Sequence, residues 1–135
     1  MHHYIDDEKI LEELKKRFDH AEKLLSDQDT LEKFLKRVEK KSKSISMAAD
    51  ALAELPIFVS LVRSYVNKEY TKIPLGSVIA VVSALIYLMS PVDLIPDIIP
   101  IIGHVDDALV IRTCWALVHT DVEAYIAWGL DKGDD

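Results

Sequence analysis

The sequence predicts an all-α, single-domain bundle of about six helices that closes with an apolar helical hairpin. Three observations carry this expectation. Apolar residues recur at three- and four-residue steps through the first half of the chain, the period of helices buried along one face. The 135 residues include only four glycines and five prolines, too little turn chemistry for many short strands. Half of the residues are apolar and 29% are charged, a globular composition in a chain long enough to bury a core.

The first helix is read from Ile10, Leu11, Leu14, Phe18, Ala21, Leu24 and Leu25, with charges on the remaining faces. Asp29 followed by Glu32 resembles a capping box and starts a second helix with the stripe Leu31, Phe34, Leu35 and Val38. Opposite that stripe stand Lys33, Lys36, Arg37, Lys40 and Lys41, a basic face suited either to water or to anionic lipid. "SKSIS" is a loop, after which Ala48, Ala49, Leu52 and Leu55 resume helical spacing. Pro56 lacks an N–H and crowds the preceding turn, so the helix is expected to break there and a new one to carry Phe58, Val59, Val62, Tyr65 and Val66. Residues 1–70 are thus a set of amphipathic helices, and "NKEYTK" separates them from an apolar unit over residues 71–130.

Ile73 to Val92 contains no charge over twenty positions, enough at about 1.5 Å per residue to cross a bilayer core. Pro74, Gly76 and Ser77 look like a helix start and Ser90-Pro91 a stop, which leaves about sixteen residues for the helix itself. Two readings follow: a central bundle helix surrounded by the amphipathic ones, or a hairpin over residues 73–118 inserted into a membrane.

The stretch "YLMSPVDLIPDIIPIIGHVDDALVI" holds three prolines and four aspartates in an apolar setting. Pro91, Pro96 and Pro100 require a series of short turns. Asp93, Asp97, Asp106 and Asp107 then fit as anions at successive helix N-termini. Arg112, in a neighbourhood of apolar residues, calls for a carboxylate partner, and these four acids are the ones available. His104 with Asp93, Asp97, Asp106 and Asp107 offers the donor types of a divalent-metal site, and hence of a metal-dependent hydrolase, but the spacing matches no established metal loop. Capping and ion pairing account for the acids without a cofactor.

Tyr87 to Asp97, followed by Pro100, Gly103 and Asp106-Asp107, resembles the signature of the YkvA-like family, a small bacterial domain of unknown function. The resemblance runs from about Pro74 to Ile111 and leaves the first seventy residues uncovered. It implies a membrane association, since family members often carry hydropathy of that kind. It supplies no catalytic residues, and His104 departs from the aromatic or aliphatic residue that the pattern leads one to expect.

Net charge is −7, with acids and bases balanced over residues 1–43 and an acidic surplus over residues 104–135. A nucleic-acid binder would show a basic surplus. The lone Cys114 forms no intramolecular disulfide and fits a reducing compartment, and acidic residues occupy the position of a signal peptide's apolar region, so a cytoplasmic location is expected. Glycine-rich phosphate loops, CxxC, HExxH and G-x-S-x-G are absent. His20 is read as solvated and His119 as a C-terminal helix residue. Thr120-Asp121 is read as a loop and cap leading into a short last helix, Val122 to Trp128. Trp115, Tyr125 and Trp128 suit either a core or a membrane-interface belt. The expected function is a non-enzymatic interaction or scaffold domain without a cofactor. Its partner is a protein or an anionic membrane surface, its oligomeric state is open, and membrane insertion and metal-dependent hydrolysis are the alternatives.

Overall fold

A computed structural model describes residues 11–12, 14–43, 49–89 and 107–133. Five helices lie among them: α1 (Phe18–Leu25), α2 (Gln28–Ser42), α3 (Ala49–Val66), α4 (Leu75–Met89) and α5 (Asp107–Gly133). The fold is all-α, as the periodicity predicts.

Local chemistry sets the early boundaries. The first expected helix is interrupted by a turn at Lys16-Arg17, where the Arg17 amide bonds to the Leu14 carbonyl at 3.0 Å. Ser26 ends α1 by donating its amide to the Glu22 and Lys23 carbonyls and its hydroxyl to the Lys23 carbonyl at 2.7 Å. The cap of α2 is Asp27, two residues before the expected position. Its carboxylate accepts from the Thr30 amide at 3.3 Å and from the Thr30 hydroxyl at 2.8 Å. These bonds, the hydroxyl's first, hold the Asp27 carboxyl below its usual pKa. The predicted stripe Leu31, Phe34, Leu35 and Val38 is the buried face of α2.

Pro56 does not break the chain as expected: α3 runs through it. The proline stands on the exposed side, where the carbonyl it displaces can turn to water, while Leu55, Phe58 and Val59 anchor both sides of it in the core. α3 ends in a Schellman arrangement, with Glu69 N–H on the Ser64 carbonyl at 2.9 Å and Lys68 N–H on the Tyr65 carbonyl at 3.1 Å. Lys68, at φ 63°, takes the left-handed position that usually falls to glycine.

α4 begins where Pro74, Gly76 and Ser77 predict, with the Pro74 carbonyl accepting from the Ser77 and Val78 amides. Val78 and every residue from Ala80 to Leu88 are buried. The cover comes from all four other helices, so α4 is the axis of the bundle. Its fifteen residues span about 22 Å at 1.5 Å per residue, short of the roughly 30 Å of a hydrocarbon core. No helix among the described residues is long and apolar enough to cross a membrane.

The directions alternate. Gln28 at the start of α2 donates to the Val66 carbonyl at the end of α3, and Lys41 near the end of α2 reaches the Leu88 carbonyl at the end of α4. α2 and α4 therefore run together, antiparallel to α3. α5 packs mainly on α3 and α4 and runs back along α4, with Cys114 Sγ–H on the Ala80 carbonyl and Asp121 on Ser77. Thr120-Asp121 forms no loop, and the expected last short helix is the continuation of α5. Val118, Val122 and Tyr125 keep one face buried straight through those two residues, and this packing outweighs their weak helical preference.

Candidate functional site

Of the charged surfaces described, the outer face of α2 is the most strongly organised. At 100° per residue its side chains divide into four sectors. Leu31, Phe34, Leu35 and Val38 point inward. Lys33, Lys36, Arg37 and Lys40 point out, are exposed, and share their face with Asp29 in the first turn. Glu32 and Glu39, two turns apart, lie on the flank beside α3. There Arg63 meets both: its Nε and Nη2 donate to the two Glu32 oxygens at 2.9 Å each, and its Nη1 and Nη2 donate to Glu39 at 3.1 and 3.2 Å. The four bonds, those to Glu39 foremost, raise the Arg63 pKa above its ordinary value. The opposite flank holds Lys41, half-buried, whose ammonium donates to the Leu88 carbonyl at 2.6 Å. A cation at that helix end neutralises the negative pole of α4. Lys41 thus turns inward, apart from the four outward cations.

Arg37 also stacks over the Phe34 ring, 5.8 Å from its centroid, which fixes its guanidinium at the rim of the face. A comparable contact ties α1 to the bundle axis, with Arg17 5.4 Å from the Tyr87 ring centroid.

A second polar cluster joins α3, α4 and α5. Tyr125 shares hydrogen bonds with Ser60 at 2.5 Å and Ser64 at 3.0 Å, and its ring packs with Tyr70 and Trp128 at centroid distances of 5.2 and 5.7 Å. Asp121 accepts from Ser77 at 2.6 Å in the first turn of α4, so it serves that helix rather than starting one of its own. Burial, and secondarily the Asp121 charge, raise the Tyr70 pKa. Trp115 lies 6.1 Å from Phe58 by ring centroids, so the aromatic residues of α5 pack against the bundle. Cys114 is buried, and burial followed by the Glu54 charge pushes its thiol up to about 12. Such a thiol is a poor nucleophile.

Asp93, Asp97, His104 and Asp106 lie outside the described residues. Asp107 opens α5, and Arg112 is exposed on that helix rather than enclosed in an apolar interior. Among the described residues no group of three or more His, Cys, Asp or Glu is placed to hold a metal ion. His20 is exposed as expected, and His119 sits mid-helix, 3.8 Å from Glu123. The residue that the sequence reading passed over is Arg63. Its one signal is being the single cation of a helix otherwise rich in apolar residues, and its partners are 24 and 31 positions away.

Comparison with known proteins bears on residues 77–112, which match the family described as "Protein of unknown function (DUF1232)". The chain is also 28% identical over 79 residues to a Bacillus subtilis (strain 168) protein named "Uncharacterized membrane protein YkvA", covering 58% of this chain and 74% of that one. No solved structure matches at a significant level. The matched segment runs from the first turn of α4 through the proline–aspartate stretch to the first turns of α5, and over it the chain is similar to the YkvA-like proteins, a family of unknown function.

Proposed function

We propose that this protein is a non-enzymatic helical interaction domain that binds peripherally to membranes, laying the outer face of α2 on anionic lipid. The observation that carries this reading is the sorting of charge on α2: Lys33, Lys36, Arg37 and Lys40 face outward while Glu32 and Glu39, on the flank, are paired with Arg63. Each basic residue near an anionic leaflet contributes on the order of 1 kcal/mol, so four on one face bind a surface that a scattered set would not. The relative's printed name, a membrane protein, supports the reading. Insertion of residues 73–118 draws less support, because α4 is short and its apolar surface is already covered by protein.

Flotation of the purified full chain with vesicles tests this. Vesicles containing phosphatidylserine should carry the protein at low salt and release it as salt rises, and phosphatidylcholine vesicles should not. Replacing Lys33, Lys36, Arg37 and Lys40 together by Gln should weaken partitioning more than about tenfold. Equal partitioning on the two vesicle types, or none on either, overturns the proposal.

A further inference from the structure

We infer that Arg63, which lies on α3 outside the basic face, is the residue that makes the face selective for anionic surfaces, by holding two carboxylates of α2 away from it. This rests on the reading proposed above and adds a residue to it. α2 carries three acids and five bases within fifteen residues, so its net charge is modest and its surface potential depends on where the acids point. Glu32 and Glu39 sit on the same flank of the helix, one on each side of the position where Arg63 arrives from α3. The planar guanidinium has five N–H donors and engages all four carboxylate oxygens. Both glutamates remain partly accessible, with side-chain exposures of 39% and 46%, so without Arg63 nothing as strong would keep them from swinging toward Lys36, which lies one turn from each. There they would pair with a cation that meets the lipid. A lysine could not replace the arginine fully, since one ammonium offers no fork to span two carboxylates.

The test is a double-mutant cycle read by partitioning onto phosphatidylserine vesicles at fixed low salt. In the native background Arg63→Gln is expected to weaken binding about fivefold or more, because it both removes a charge and releases two acids. With Glu32→Gln and Glu39→Gln already in place, the same Arg63→Gln change should cost about twofold or less, the effect of one flanking charge. Arg63→Lys, which keeps the net charge, should fall between wild type and Arg63→Gln. Thermal melts separate binding from folding, and Arg63→Lys reads the effect even if Arg63→Gln proves too unstable. An equal cost of Arg63→Gln in both backgrounds, or Arg63→Lys binding as wild type does, overturns the inference and leaves the proposed function standing. Failure of wild type to bind any anionic vesicle overturns the function itself.

Discussion

α2 and α4 run side by side and are each fifteen residues long, yet they are held by opposite means. α2 buries one stripe and sorts the rest of its surface by charge, with Arg63 on one flank and the Lys41 contact on the other. α4 has no charged side chain and is buried nearly all round, so it is specified by packing alone, with ions supplied from outside at its two ends: Asp121 at the start and Lys41 at the finish. A helix that keeps charge at a surface can present it to a partner, whereas one enclosed on every side can only organise its neighbours. In this molecule the family signature begins on the organising helix and the candidate binding face lies on the other.

Packing at the axis should give the largest effect. Leu85 of α4 is fully buried, and Leu85→Ala should lower stability by about 3–5 kcal/mol in urea unfolding, with little dependence on salt. A loss below about 1 kcal/mol would break the contrast, because it would mean that α4 is loosely packed.

Cys114 gives the next effect, through pH. Its folded-state pKa, about 12, lies above its ordinary value of 9.0, so its contribution to stability is complete below pH 9 and is lost as pH rises toward 12. The unfolding free energy of wild type, less that of Cys114→Ala, should therefore fall by about 1.4 kcal/mol per pH unit through that window. A flat difference would show that the thiol is less enclosed between α4 and α5 than its burial indicates.

Tyr125→Phe leaves the aromatic packing in place and removes the hydroxyl shared by Ser60 and Ser64, so it should cost about 1–2 kcal/mol. At the α2–α3 seam, Arg63→Ala should cost only about 1 kcal/mol, less in high salt, because the network is partly solvated. A salt-independent loss as large as that of Leu85→Ala would erase the distinction between the two helices. The smallest change is a gain: Lys68→Gly should raise the melting temperature, adding about 0.5–1 kcal/mol by relieving the left-handed backbone at the end of α3.

The helical class, the buried stripe of α2 and the start of α4 were legible because each rests on a local pattern. A 3.6-residue period is visible in a short window, and Pro74 with Gly76 and Ser77 marks a start. The errors share a cause of the other kind. Pro56 and Thr120-Asp121 are poor helix residues by local chemistry, yet α3 and α5 pass through them because core contacts on both sides repay the local cost. The cap of α2 lies two residues before Asp29, the position that the Asp29–Glu32 spacing suggests. Only the geometry of Thr30 chooses Asp27.

What the sequence determined by itself was periodicity and its consequences: an all-helical chain, a basic face on α2, a helix apolar all round, and the YkvA-like signature in the second half. Tertiary structure alone decided which charges meet. Arg63 closing on Glu32 and Glu39, Asp121 serving Ser77 across the α4–α5 contact, and Lys41 ending α4 all join residues 24 to 47 positions apart. The physical reason is that helical phase is set by neighbours along the chain, whereas an ion pair depends on distance in space, which the sequence leaves open until the helices have packed.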